Sequence, residues 1–224
     1  MVLTRHQVQT FYDHFGQRQD SQSFYEDAAL DDLVAHASFE QSAKTFELGC
    51  GTGRFASRLL TRHLSRSAEY LGIDLSLTMT NLAKERVSAF SDRAKVTQSD
   101  GALRFALPDQ SVDRFVATYV LDLLPDVEIR QVIAEAHRIL VPSGKLCLVS
   151  LTHGATFASR MVSSVWSALF SVYASLVGGC RPVALEPFVD SQTWSIDHRA
   201  VVIRFGVPSE VLIASPRLPG QVRP

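Results

Sequence analysis

One stretch constrains this chain more than any other: Phe46-Glu47-Leu48-Gly49-Cys50-Gly51-Thr52-Gly53-Arg54-Phe55. It reads as the end of a buried strand, a glycine turn and the first turn of a helix. Glycines at this spacing let the backbone take positive φ and let a ligand approach bare main chain. The helix that follows points its free N–H groups and positive dipole end into the turn. That setting suits a carboxylate, a phosphate or another electron-rich group. The plain alternative is a tight strand-to-helix turn without a ligand. The dinucleotide fingerprint, G-x-G-x-x-G, is not met. Counted from Gly49, its third glycine would fall where Arg54 stands. The pattern is instead E-x-G-x-G-x-G, headed by Glu47.

A second strand, Glu69 to Asp74, ends in an acid about twenty residues past the glycines. This spacing puts a carboxylate at the tip of the neighbouring strand, where it can accept from both hydroxyls of a ribose. The alternative role for Asp74 is a helix N-cap, although Ser76 is at hand for that. A third strand, Ala94 to Thr97, is followed by Ser99-Asp100-Gly101, and a fourth covers Val112 to Thr118. In this order, Glu47-x-Gly49-x-Gly51-x-Gly53, Asp74, Asp100 and the strand from Asp113 resemble the motifs of the class I S-adenosylmethionine-dependent methyltransferases. The resemblance runs over roughly residues 47–151. Arg138-Ile139-Leu140-Val141-Pro142-Ser143-Gly144 is similar to that family's "R-x-L-x-P-G-G", with Ser143 in place of one glycine.

The resemblance implies an α/β fold. Its Rossmann-like, seven-stranded, mostly parallel sheet has order 3-2-1-4-5-7-6, strand 7 antiparallel and helices on both faces. It also implies S-adenosyl-L-methionine as cofactor. Gly49, Cys50, Gly51 and Gly53 would wrap its methionine part, with Glu47 near the amino group. Asp74 would hold the ribose, Leu75 would lie beside the adenine, and Asp100 would accept from the adenine amino group with Gly101 at the ring's edge.

Composition excludes several classes. The chain is 224 residues long with a net charge of −1, so no basic field points to nucleic acid. An Asn/Asp-Pro-Pro-aromatic motif after the fourth strand is missing too. Three cysteines without metal-ligand spacing imply neither a disulfide framework nor a metal centre. With no charged, apolar secretory leader, a cytoplasmic location is expected.

The whole chain, residues 1–224, reads as one domain. Residues 1–40 are expected to form a helical cap, in which Thr4 and Gln7 have capping-box spacing and Val8, Phe11, Tyr12 and Phe15 share a helix face. Residues 152–190 are read as a helical insert. Within it, Ser159, Ser163, Ser167, Ser171 and Ser175 recur every four residues along an apolar segment. A lid over an apolar acceptor is favoured; a buried helix and a helix lying on a membrane surface are the alternatives, while a membrane span is not expected. Gly206-Val207-Pro208 is expected to turn a terminal hairpin, and residues 215–224 to form a loose tail.

The expected reaction is in-line methyl transfer to a small, hydrophobic acceptor, lipid-like or natural-product-like. An acid–base residue is not obligatory. Asp122, Tyr12, Tyr119 and His153 are the candidates where a proton must leave. Asp122 stands where relatives commonly carry a histidine. The alternatives are a nicotinamide-dependent oxidoreductase and a non-catalytic S-adenosylmethionine-binding subunit or sensor.

Overall fold

The computed structural model describes residues 2–154 and 179–217. The strands are β1 Lys44–Leu48, β2 Glu69–Asp74, β3 Ala94–Gln98, β4 Val112–Thr118, β5 Leu140–Leu151, β6 Trp194–Arg204 and β7 Val207–Pro216. They form one seven-stranded sheet of order β3-β2-β1-β4-β5-β7-β6. The first five pair in parallel, and β7 runs antiparallel to both β5 and β6. This is the expected Rossmann-like topology.

Parallel strands buried on both faces read as continuous apolar runs, and their alternate residues feed two cores. Val116, Cys147, Val149 and Ile213 face one cluster with Leu33, Phe39 and Leu59. Phe115, Ala117, Leu148 and Leu212 face the other with Ile129, Val132 and Ile139. The first core lies under helices α2 (Ser23–Ala37) and α3 (Arg54–Arg62), the second under α5 (Asp126–Ile139). Helix α1 (Arg5–Phe15) packs on α4 (Leu77–Arg86).

Local chemistry explains several boundaries. Thr4 and Gln7 form the expected capping box at the start of α1, and Gly16 ends that helix with φ of 51°. Asp113 accepts from the N–H groups of Ala43 and Lys44, at 3.0 and 2.7 Å, and so ties the start of β1 to β4. Buried Arg114 donates to the carbonyls of Ala37 and Ser38, which closes the end of α2.

Strand β3 runs one residue past expectation, to Gln98, and three other boundaries differ from it. Strand β5 starts at Leu140, because Leu140 pairs with Val112 ahead of a register shift. That irregularity accommodates Pro142, which has no N–H to donate. The hairpin turns at Phe205-Gly206, both with positive φ, rather than at Gly206-Val207-Pro208. Two left-handed residues match the twist of the flanking strands, so Val207 and Pro208 join β7. Strand β7 also runs through Pro216, into the stretch read as tail, because Ser215 and Pro216 pair with Ser195 and Trp194. Residues 218–224 lie outside the described residues, as does the serine-spaced segment with residues 155–178.

Candidate functional site

The site lies at the carboxyl ends of β1, β2 and β4, where strand order reverses about β1 and β4. The glycine loop takes the left-handed backbone that its composition demands. A Cβ on Gly51 (φ 53°) would lie 2.9 Å from Gln19 Oε1, so the glycine leaves room for a side chain over bare backbone. Gln19 Oε1 is buried and has no hydrogen-bond partner. A Cβ on Gly53 (φ 74°) would lie 2.8 Å from the Ala83 Cα, so this glycine serves the close packing of α3 on α4.

Asp74 closes the loop from the neighbouring strand. Its Oδ2 accepts from Gly51 N–H at 2.8 Å and its Oδ1 from Ser76 N–H at 2.9 Å. Burial pushes its pKa up to about 6, against the pull of those amides. Each oxygen keeps acceptor capacity beyond these amides, and Asp74 lines the cavity beside the loop. Capping of α4 falls to Ser76, whose hydroxyl accepts from Met79 N–H at 3.1 Å. Glu47 is buried and accepts from the Tyr70 hydroxyl. Burial raises its pKa to about 7, opposed by that hydrogen bond. It borders a small recess with Cys50, Gly51, Gln19, Glu26 and Arg54.

A cavity of about 500 Å³ opens beside the loop. Gly49, Gly51, Asp74, Leu75 and Gly101 line one side of it. Arg5, Val8, Gln9 and Tyr12, one face of α1 at i, i+3, i+4 and i+7, line another. The α1 face turned inward is thus rotated from the Val8, Phe11, Tyr12 and Phe15 stripe expected from hydrophobicity. Asp100 does not line the cavity; it is exposed and accepts from Ala102 N–H at 2.8 Å within its own loop.

Tyr12 lines the cavity, whereas Cys180 and Asp122, which interact with Tyr12 electrostatically, do not. The Tyr12 hydroxyl and Cys180 Sγ are 3.8 Å apart. Asp122 is fully buried, and neither carboxylate oxygen has a well-formed hydrogen bond among the described residues. Burial raises its pKa to about 7, countered in part by nearby backbone amides. Burial, with Cys180 and Asp122 adding to it, holds the Tyr12 hydroxyl well above its usual range. Tyr119 has φ of 55°, lines the cavity and shares a hydrogen bond of 2.9 Å with the Ser209 hydroxyl. His153 is exposed and takes no part in the cavity lining. Sequence reasoning missed Gln19 and Arg5. Arg5 was detectable as the start of the α1 face, whereas nothing local marks Gln19.

Residues 46–144 match a family model described as "Methyltransferase domain". A demethylmenaquinone methyltransferase of Lactobacillus johnsonii is 26% identical over 133 residues, covering 59% of this chain and 53% of that protein. A 2-phytyl-1,4-naphtoquinone methyltransferase of Thermosynechococcus vestitus is 30% identical over 118 residues, covering 53% of this chain and 50% of that protein. The chain thus matches about half the length of these curated relatives. Among solved structures, the N-methyltransferase NodS from Bradyrhizobium japonicum, in complex with S-adenosyl-l-homocysteine, superposes with a TM-score of 0.64 at 17% identity. The match covers 86% of this chain and 88% of that one.

Proposed function

The chain carries a class I, Rossmann-like methyltransferase domain with residues 46–144 at its centre, and on that premise we propose that it methylates a small hydrophobic acceptor with S-adenosylmethionine. The observation that carries this proposal is the apolar cavity, which opens directly onto the glycine loop and Asp74. The quinone-type substrates named for two relatives make a hydroxylated aromatic ring with a hydrophobic tail the first acceptor class to try.

The residues present fit the cofactor. Gly51 leaves an open cradle, and the buried, unpartnered Gln19 Oε1 above it offers an acceptor to an ammonium group. Asp74 has lone pairs left for two ribose hydroxyls after accepting from Gly51 and Ser76. Leu75, Gly101 and Ala102 line the cavity wall where an adenine would lie. Asp100, turned into its own loop, would have to leave Ala102 to reach a ring, so its assigned role carries the least support. When bound, the cofactor supplies an electrophilic methyl group on a sulfonium.

The chain's part is chiefly alignment: α1 and the loop after β4 form walls that hold an acceptor against the sheet rim. A hydroxylated acceptor must also lose a proton. Asp122, raised to about 7, is buried and does not itself line the cavity, so it receives that proton through the Tyr12 hydroxyl, which does line it. Exposed His153, outside the cavity lining, is not proposed for that task.

The test is calorimetry of the purified chain with S-adenosylmethionine, S-adenosylhomocysteine and NADH, followed by methyl transfer to naphthoquinols. Binding of the first two is expected, with an affinity loss of about 1–3 kcal/mol in Asp74→Ala. Binding of NADH alone would overturn the proposal. Unchanged affinity in Asp74→Ala would remove the ribose role from that residue.

A further inference from the structure

Apart from the cavity, Asp32 and His36 lie one turn apart on α2, and His198 stands on β6, against which α2 packs. His198 Nε2 is 2.7 Å from Asp32 Oδ2. His36 Nδ1 is 3.6 Å from Asp32 Oδ1 and 2.9 Å from the Asp32 carbonyl oxygen. The two imidazoles stack with centroids 3.6 Å apart and planes 7° from parallel. A ligand-capable atom from each of the three residues lies within 4.8 Å of the others. The side chains of Asp32, His36 and His198 are 23%, 44% and 21% exposed, so an ion can reach them from solvent. None of the three lines the cavity.

We propose that Asp32, His36 and His198 form a binding site for a first-row transition cation that clips α2 to β6. Two imidazole nitrogens and one carboxylate suit Zn²⁺, Co²⁺, Ni²⁺ or Cu²⁺, whereas Mg²⁺ and Ca²⁺ take oxygen-only shells. Ligand atoms around a tetrahedral zinc with bonds of ~2.0 Å lie about 3.3 Å apart. The separations of 2.7 Å from His198 to Asp32 Oδ2 and 3.6 Å from His36 to Asp32 Oδ1, the two oxygens of one carboxylate, lie on either side of that figure. The lone pairs of parallel rings do not converge on one point, so binding requires the rings to splay. His36 is the more exposed partner, so it makes the turn, giving up its stack on His198 and its hydrogen bond to the Asp32 carbonyl. Water completes the shell on the solvent side. The site ties helix to edge strand, and the proposal stands independently of the methyl-transfer reading.

The experiment titrates the untagged, chelator-treated full chain with Co²⁺, then displaces it with Zn²⁺. The visible absorption of a low-coordinate cobalt site, saturating at one ion per chain and lost on addition of zinc, is expected. Zinc is expected to raise the melting temperature of the parent chain and to do so less in His36→Gln and His198→Gln. Each variant is expected to weaken binding about tenfold or more. His36 is exposed, so its variant folds even if His198→Gln does not. Absence of cobalt absorption, equal binding of Mg²⁺, or parent affinity in His36→Gln would overturn the proposal and leave the cluster as a hydrogen-bonded contact.

Discussion

Asp122 is a fully buried carboxylate whose oxygens have no well-formed hydrogen bond among the described residues, an arrangement that costs stability once the group ionises. Its pKa is raised from the usual carboxylate range to about 7. The unfolded chain therefore gives up this proton near pH 4 and the folded chain near 7, so the penalty is absent in acid and grows as pH rises between those values. Asp122→Asn is expected to raise stability at pH 8 by about 1–3 kcal/mol in urea denaturation. It is also expected to lower kcat for methyl transfer by about 10²–10⁴-fold while leaving calorimetric cofactor affinity intact. A gain in stability with unchanged kcat would make Asp122 structural. In the sequence this residue stood out as an acid among Leu121, Leu123 and Leu124 where the resembled family commonly has histidine, which made it an acid–base candidate without showing its burial. Its full burial is a property of the folded chain that no neighbouring residue announces.

Helix α1 is one wall of the cavity, and polar contacts help to seat it on α4 and α5. Asp13 accepts from the Ser76 hydroxyl and, at 3.2 Å, from Thr78 N–H at the start of α4. Arg5 pairs with Glu128 of α5 at 3.1 Å, but at 48% and 23% exposure this ion pair contributes little. Asp13→Ala is expected to cost about 1–2 kcal/mol of stability and to raise KM for the acceptor more than it lowers kcat. An unchanged KM would show that α1 stays seated without Asp13. The helix itself was legible: Thr4 and Gln7 announce its start and Gly16 its end. The face it turns inward was not, because hydrophobic periodicity favoured Phe11 and Phe15, while contact with α4 and the cavity rotates Arg5, Val8, Gln9 and Tyr12 toward the site. Likewise, β5 begins early and the hairpin turns one residue early, because strand pairing across the sheet overrides local breakers such as Pro142 and Pro208.

Across the described residues, three buried carboxylates and the half-buried Asp74 share one electrostatic bias. Burial raises Glu26, Glu47 and Asp122 to about 7 and Asp74 to about 6. All four bind protons more tightly when folded, so the chain loses stability as pH rises from about 4 to 7. Asp20 and Glu135 shift downward, Asp20 through Arg86 and Thr52 and Glu135 through Arg138, and their contribution is lost only as pH falls through the low carboxylate range. The urea midpoint is therefore expected to peak near pH 5 and to decline toward pH 8. A midpoint that rises steadily to pH 8 would contradict this. The same bias affects binding: affinity for a ribose-bearing ligand is expected to fall as pH drops through about 6, where Asp74 takes up its proton and loses acceptor capacity.

From local rules alone, the chain declared its strand–glycine–helix unit, its run of parallel strands and the acid at the tip of β2. Glycine conformations, apolar runs and capping pairs act over a few residues and leave their mark there. Resemblance of the ordered motifs to a known family carried the strand order. The tertiary structure alone decided which groups meet: Gln19 over Gly51, Tyr12 against Cys180, and His198 against Asp32, 166 positions away in sequence. Such meetings depend on the seating of α1 and α2 on the sheet, set by the summed packing of both cores, and no short stretch of residues encodes that sum.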